Sequence, residues 1–147
     1  MPKNISTASD FMSALPIYIS QKCTLSSALN KIEEYKLSQI TITDSNFATI
    51  GIITKKQIAR FLFDNRLKRC NPVLETIEIK ELFDETKVGV VAYPTTNIFE
   101  ILDVMEVLKQ EYIPIVKSPW NKVLLGFISY KRIKGILSKE EIRKSKA

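Results

Sequence analysis

Histidine is missing from the sequence of 147 residues. Its absence excludes a Ser-His-Asp triad, an imidazole acid or base, and metal binding through imidazole ligands. The two cysteines, Cys23 and Cys70, match neither a CxxC motif nor a zinc-binding spacing. Isolated thiols in a chain without a signal peptide favour reduced cysteines and a cytoplasmic location. Because no apolar run approaches about 18 residues, no membrane-spanning helix is expected.

The charge balance of the chain is basic. Lysine and arginine number 22 against 16 acidic residues, which gives a formal net charge of +6 at pH 7. This excess favours anionic ligands or surfaces, although net charge does not specify a fold. The hydrophobic content of 45% supports a core, and the length suits one domain or a compact pair of half-domains.

One sequence motif occurs twice, at a spacing of 75 residues. GIITKKQIARFL begins at Gly51, and GFISYKRIKGIL begins at Gly126. The hydroxyl residues Thr54 and Ser129 occupy the same place in the two copies. Such agreement indicates two copies of one structural unit, so a site built by one copy is expected to have a counterpart in the other. The identical positions are Gly51/Gly126, Ile53/Ile128, Lys56/Lys131, Ile58/Ile133 and Leu62/Leu137.

Periodic patterns around this motif predict the elements of each unit. An apolar series at positions i, i+3, i+4 and i+7 predicts a helix in each copy, preceded by the N-cap types Thr24 and Asn97. An upstream strand, an alternating hairpin and a second helix after the hydroxyl residue complete the pattern of strand, helix, strand, strand, helix. The two apolar series are Leu25, Ala28, Leu29 and Ile32, and Ile98, Ile101, Leu102 and Met105.

The predicted fold is α+β, with two β-α-β-β-α repeats packed sheet to sheet in pseudo-twofold symmetry around two related clefts. The first repeat, with its N-terminal lead-in, is expected at residues 1–66, and a linker follows at 67–78. The second repeat is expected at 79–138, followed by a basic C-terminal tail at 139–147. Short helical lead-ins are expected at 9–12 and 79–83, and an upstream strand at 88–92. The second hairpin turn, at 118–121, is expected to be two residues longer than the first.

These motifs resemble the CBS domain, which occurs as tandem pairs called Bateman modules. The matching features are the hydrophobic-Pro pair Ile113-Pro114 and the Gly-hydrophobic-hydrophobic-Thr/Ser pattern of both repeats, within about Asp10 to Leu137. The resemblance implies a regulatory, non-catalytic module that binds AMP, ADP, ATP or S-adenosylmethionine in the clefts between its repeats. It also implies a homodimer that acts on a regulated partner protein, and no metal.

The start of each second helix is the candidate nucleotide-binding site. Free backbone amides and the helix dipole favour a phosphate beside Thr54 and Ser129, although both residues are also ordinary N-caps. The aspartate that binds ribose in the family is replaced by Gln57 and Arg132. Glutamine can accept one hydrogen bond, whereas arginine accepts none and either clamps a phosphate or lies solvated at the surface. The two sites are therefore expected to differ in affinity.

Further candidates come from the strands. Gln39 and Tyr112 precede the hydrophobic pair of each repeat, and Tyr112 either stacks on a base or covers the sheet edge. Apolar strand residues form ligand walls or belong to the core. Lysines near the helix starts add positive charge or form a solvated face. The wall candidates are Ile19, Ala92, Ile40 and Ile113, and the lysines are Lys55, Lys56 and Lys131.

Two other functions remain open from the residues. A scaffold or nucleic-acid-binding protein would explain the missing aspartates and the positive charge, with phosphate contacts from Lys55-Lys56 and from 139–146. The interspersed charges and the lack of a groove-reading helix speak against it. An enzyme is not expected, because adjacent carboxylates such as Glu33-Glu34 and Glu140-Glu141 accompany no nucleophile and base.

Overall fold

The computed structural model describes residues 6–82 and 89–137. Residues 83 and 88 of the predicted lead-in and strand, and the predicted tail at 139–147, lie outside the described residues. The strands are Tyr18–Ser20 (β1), Gln39–Thr43 (β2), Thr49–Thr54 (β3), Tyr112–Ser118 (β4) and Asn121–Ser129 (β5). The α-helices are Leu25–Tyr35 (α1), Lys55–Asp64 (α2), Ile98–Leu108 (α3) and Tyr130–Ile136 (α4), and 3-10 helices span Ala8–Asp10, Pro72–Glu75 and Ile79–Glu81.

These elements form a mixed α+β fold with two sheets, which confirms the predicted fold class. In the first sheet β2 lies between a parallel β1 and an antiparallel β3, and in the second sheet β4 pairs antiparallel with β5. The chain divides into two compact units. One runs from Pro16 to Gly89, and the other combines the chain up to Leu15 with the chain from Val90.

Helices α1 and α3 form as their sequence patterns predict. Their buried residues are the two apolar series, and each helix begins at the predicted cap. The Thr24 hydroxyl accepts from the Ser27 amide, and the Asn97 side chain accepts from the Phe99 amide. Each helix then ends on a left-handed lysine, Lys36 or Lys109, whose amide bonds back to the last turn. Both repeats therefore start and stop their first helix by the same local chemistry.

Strand register is also the same in the two repeats. Ile42 pairs with Ile19 across β1 and β2, and the equivalent Ile115 forms a parallel bridge with Ala92. In both hairpins the register shifts beside the glycine of the repeated motif. The pairing skips Ile50 in the first hairpin and Leu125 in the second. The segment upstream of the second repeat thus forms only the single bridge at Ala92, but this bridge has the same register as the pairing of β1 with β2.

The second hairpin differs from its prediction. Five residues, 44–48, connect β2 to β3, whereas only Pro119 and Trp120 lie between β4 and β5. The extra residues of the second repeat therefore lengthen the paired strands, while the turn itself becomes shorter. Pairing between Ser118 and Asn121, together with a second register shift, accommodates them within the ladder.

Each lead-in segment packs in the unit that contains the other repeat. Ser13 and Phe127 exchange two backbone hydrogen bonds of 2.9 Å, and Ala8 is buried in the same core as α3. In the other unit, the Ile79 amide donates to the Cys23 carbonyl over 2.8 Å, and Ile79 is fully buried. The compact units therefore do not follow the predicted division at 1–66, 67–78, 79–138 and 139–147. The predicted ranges therefore describe the sequence repeats, and they stay a prediction for the domain boundaries.

An exposed ion pair fastens the segment after α2 to α1. The Arg69 guanidinium donates to both carboxylate oxygens of Glu33 at 3.0 Å and to the Asn30 side chain at 2.9 Å. This bidentate bond from Arg69 holds the pKa of Glu33 below its usual value of 4.5. The pair thus stabilises the fold only while Glu33 is ionised.

A small pH dependence of stability is expected from Glu33. Its contribution is complete above pH 4.5 and is lost as the pH falls through its lowered pKa. Urea unfolding at pH 6 and pH 3.5 should show a smaller loss of stability for Glu33→Gln than for the wild type. The difference should stay below about 1 kcal/mol, because solvent screens exposed pairs. If the neighbouring control Glu34→Gln reduced the loss equally, the effect would not come from the Arg69 pair.

Candidate functional site

An open depression of about 750 Å³ lies along α2 in the unit from Pro16 to Gly89. It contains Thr54 and Gln57, two of the predicted site residues. This volume is in the range of small-molecule sites. The lining residues are Thr54, Lys56, Gln57, Ala59, Arg60, Phe63 and Asp64.

Thr54 is placed by the junction of β3 and α2. It is the last residue of the strand and the N-cap of the helix, and its hydroxyl accepts from the Gln57 amide over 3.1 Å. The Gln57 side-chain oxygen accepts in return from the Thr54 amide over 2.9 Å. This capping box confirms the capping role of Thr54. It also uses one of the two lone pairs of the Gln57 oxygen, the acceptor that the sequence predicted for ribose.

The second repeat builds the same junction without the reciprocal bond. The Ser129 hydroxyl accepts from the Arg132 amide over 3.2 Å and so caps α4. Arginine has no acceptor, so a capping box cannot form, and the Arg132 side chain is exposed. The Tyr130 hydroxyl instead donates to Glu106 over 3.1 Å, which ties the start of α4 to α3.

Backbone amides at both helix starts are partly used. The Lys55 amide donates to the Ser38 carbonyl over 2.8 Å, and the Tyr130 amide donates to the Glu111 carbonyl over 2.9 Å. The amide at the third helical position of each bonds the cap hydroxyl. The amide at the second helical position, which belongs to Lys56 in α2 and to Lys131 in α4, takes part in none of these bonds. Each helix start therefore offers fewer free donors than the sequence suggested.

Strand pairing brings the remaining polar candidates to the hydroxyl residues. Gln39 pairs with Thr54, and Tyr112 pairs with Ser129. All four residues are half-buried. The sequence-predicted pairs thus occupy neighbouring strand positions in each repeat, and their contact with a ligand stays a prediction.

The apolar candidates lie inside the protein. Ile40 and Ile113 are 1% exposed, and Ile19 and Ala92 are similarly buried. Ala92 and Ile113 belong to the hydrophobic core that surrounds α3. These side chains act as core residues, and a role as ligand walls stays a prediction.

Four residues of the depression were missed from the sequence, namely Ala59, Arg60, Phe63 and Asp64. Arg60 and Phe63 follow Lys56 at i+4 and i+7, so all three lie along one side of α2. This spacing is present in the sequence, but the apolar periodicity of α2 predicts only its buried residues. Phe63 is 83% exposed, which leaves an aromatic ring available beside two cations.

The charge of the depression favours an anion. Lys56 and Arg60 outnumber Asp64, and the Arg60–Asp64 pair is exposed and separated by 4.0 Å. A pair of this kind competes weakly with a bound phosphate. Within residues 6–82 and 89–137, no cluster of three or more potential metal ligands occurs. The helices in these ranges also include none with the length and apolar character to cross a membrane.

Comparison with known proteins identifies the fold. Residues 8–64 match the family model of the CBS domain, whereas curated protein sequences gave no significant match. Solved structures of CBS domain proteins align with nearly the whole chain.

Three of these structures illustrate the similarity. The CBS domain pair of protein MJ0100 in complex with 5-methylthioadenosine and S-adenosyl-L-methionine is 17% identical, with coverage of 97% of this chain and 99% of its own and a TM-score of 0.63. CBSX2 in complex with AMP is 16% identical, with coverage of 97% and 99% and a TM-score of 0.64. A putative acetoin utilization protein from Vibrio cholerae is 17% identical, with coverage of 97% and 98% and a TM-score of 0.67. At these identities the likeness establishes the fold.

Proposed function

We propose that this chain is a regulatory module that senses an adenine nucleotide or a related phosphate-containing ligand. The match of residues 8–64 to the CBS domain model and the fold of a tandem CBS pair support the proposal. The observation that carries the proposal is the depression along α2, which Thr54, Lys56 and Arg60 help to line. No acid–base or nucleophilic role is assigned to these residues. The module acts by binding, in the cytoplasm, and transmits the bound state to a partner protein.

Phosphate is the group that this arrangement suits. The helix dipole favours negative charge at the start of α2, and the Lys56 amide is not used by the capping bonds. Lys56 and Arg60 supply cationic donors one helical turn apart, and Arg60 can bind a phosphate through two parallel bonds. The exposed Phe63 ring offers a face for an adenine base.

The ligands of the similar structures support an adenosine-containing molecule. MJ0100 was crystallised with 5-methylthioadenosine and S-adenosyl-L-methionine, and CBSX2 with AMP. All three compounds carry an adenosine group. We extend that preference to this chain as part of the proposal, with AMP, ADP and ATP as the first ligands to test.

The two repeats would bind with unequal affinity. The Gln57 oxygen already accepts from the Thr54 amide, so it has one lone pair left and can accept from only one ribose hydroxyl. Arg132 cannot accept from ribose at all, although its exposed guanidinium can pair with a phosphate. We therefore place the stronger site at Thr54 and the weaker site, biased toward phosphate, at Ser129.

Thr54→Val should weaken nucleotide binding by roughly 10- to 150-fold, because a hydrogen bond to a charged group contributes roughly 1.5–3 kcal/mol. Isothermal titration with AMP, ADP, ATP and S-adenosylmethionine measures the change. Thr24→Val is the matched control, since Thr24 caps α1 through the same kind of hydroxyl bond. Both variants should lose about 1 kcal/mol of stability as uncapped helices, and only Thr54→Val should lose affinity.

Two outcomes would overturn the nucleotide proposal. The first is an absence of heat with all four ligands at millimolar concentration. The second is an equal loss of affinity in the Thr24→Val control, which would assign the effect to general destabilisation. A gain of affinity in Gln57→Asp would support the ribose argument, because a carboxylate can accept from both hydroxyls.

A homodimer is the proposed assembly. Large apolar side chains are exposed on two helices, including Phe63 on α2 and Val107 on α3. The exposed charges of α2 are mainly basic, and Glu100 and Asp103 of α3 are exposed acids, so these helices of two copies have complementary charge. Native mass spectrometry of the purified protein reports the oligomeric state and any co-purified nucleotide together.

A further inference from the structure

The tip of the second hairpin presents an exposed tryptophan. Trp120 lies between Ser118 and Asn121 in the two-residue turn of β4 and β5, and it is 90% exposed. An indole ring normally buries much of its large apolar surface. Folding therefore gains little from this ring, and its place in the turn needs another explanation.

The turn holds Trp120 in a defined position. The Asn121 amide donates to the Ser118 hydroxyl over 3.0 Å, and the Val123 amide donates to the Asn121 side-chain oxygen over 3.2 Å. Pro119 restricts the backbone immediately before the tryptophan. The ring is thus carried on a short, hydrogen-bonded turn, which reduces the entropy that is lost when it binds a partner.

The corresponding hairpin of the first repeat shows that the fold does not require such a ring. Its aromatic residue, Phe47, is 39% exposed and packs edge-on against Tyr18 with ring centroids 5.0 Å apart. Its turn also carries Asp44, whose carboxylate accepts from the Asn46 and Ala48 amides. The turn of the first hairpin therefore carries an acidic residue and an aromatic ring that packs against the protein. The turn of the second hairpin carries an aromatic ring that is exposed to solvent.

The charge at the second tip is positive. Lys117 and Lys122 each lie one residue outside the Ser118–Asn121 pair, so lysines flank the turn on both strands. The segment from 117 to 122 contains no carboxylate, and the whole chain carries a net charge of +6. A polyanion is therefore the complementary partner.

Single-stranded nucleic acid fits these features better than a lipid surface. One exposed π-face is sufficient to stack a base, and the two lysines can neutralise the adjacent phosphates. Insertion into lipid would have to carry the polar Ser118 and Asn121 into the interface with the single indole ring. We propose that the Lys117–Lys122 hairpin tip binds single-stranded nucleic acid through base stacking on Trp120. This site is independent of the proposed nucleotide site on α2.

Intrinsic fluorescence tests the proposal directly, because the chain has one tryptophan and Trp120 is therefore the source of the signal. Titration with oligo(dT) and oligo(U) 12-mers at about 20 mM salt should quench the emission without a shift to shorter wavelength. Anisotropy of a labelled oligonucleotide should show that Trp120→Ala weakens binding by roughly 5- to 150-fold, since stacking contributes about 1–3 kcal/mol. Trp120→Phe should recover part of this loss.

Salt dependence and a matched control complete the test. The Lys117→Gln, Lys122→Gln double variant should reduce the slope of log K against log salt by about 1.4, as expected for two phosphate contacts to a single strand. Phe47→Ala, on the other hairpin, should leave oligonucleotide affinity unchanged. Quenching by neither oligonucleotide, or an equal loss in Phe47→Ala, would overturn the proposal. So would a blue shift with vesicles of 30% phosphatidylserine in phosphatidylcholine and no response to oligonucleotides.

Discussion

Replacement of Ile115 by alanine is expected to destabilise the protein by about 2–5 kcal/mol, because the side chain is fully buried and its removal leaves a cavity. Ile115 lies in the core around α3 and forms the bridge to Ala92. Ile42 is also fully buried at the same register position in the first repeat. The two alanine variants should therefore have costs of the same order. Urea unfolding at pH 7 measures both.

Ile136→Ala is the control for this prediction. Ile136 is 53% exposed on α4, so the same chemical change should cost about 1 kcal/mol or less. The thermal midpoint of Ile115→Ala should fall by roughly 5–15 °C, whereas that of Ile136→Ala should fall by only a few degrees. Equal losses at Ile115 and Ile136 would contradict the description of the core.

Two glycine-to-alanine substitutions are expected to change stability in opposite directions. A Cβ at Gly126 would lie 2.9 Å from the backbone oxygen of Ser13, so Gly126→Ala must displace the N-terminal segment and should cost about 1–3 kcal/mol. A Cβ at Gly135 would have no heavy atom within 4 Å. Gly135→Ala should therefore stabilise α4 by about 0.5–1 kcal/mol through helix propensity.

Hydrogen exchange locates the Gly126 effect. The Phe127 amide bonds the Ser13 carbonyl, so its protection should fall in Gly126→Ala and remain unchanged in Gly135→Ala. Unfolding in urea gives the two changes in stability. If Gly126→Ala kept wild-type stability and full protection of Phe127, then Ser13 does not constrain this strand.

Local sequence chemistry was sufficient to predict the first helices and the caps. Leu25 and Ile98 begin apolar series with a period of 3.6 residues, and capping depends on the residue type immediately before each series. These features depend on contacts that are close in sequence.

Features that depend on distant contacts were not predicted. Nothing near Ser13 in the sequence indicates that it pairs with Phe127, because that contact joins segments more than a hundred residues apart. The capping box of Gln57 was missed although its partner Thr54 lies only three residues away, because Gln57 was considered only as an acceptor for ribose. The role of Arg60 and Phe63 in the depression likewise depends on surface shape, which periodicity alone does not describe.

The exchange of lead-in segments means that the repeat and the folding unit are different objects. A fragment ending at residue 66 would omit Leu74 and Ile79, which are buried in the unit that contains α1 and α2. The unit that contains α3 and α4 is discontinuous in sequence, since it needs the chain up to Leu15 as well as the chain from Val90. The motif occurs once in each unit, but the polypeptide passes from one unit to the other and back again. A half-protein cut at the repeat boundary would therefore need its missing peptide supplied as a separate molecule before its core could close.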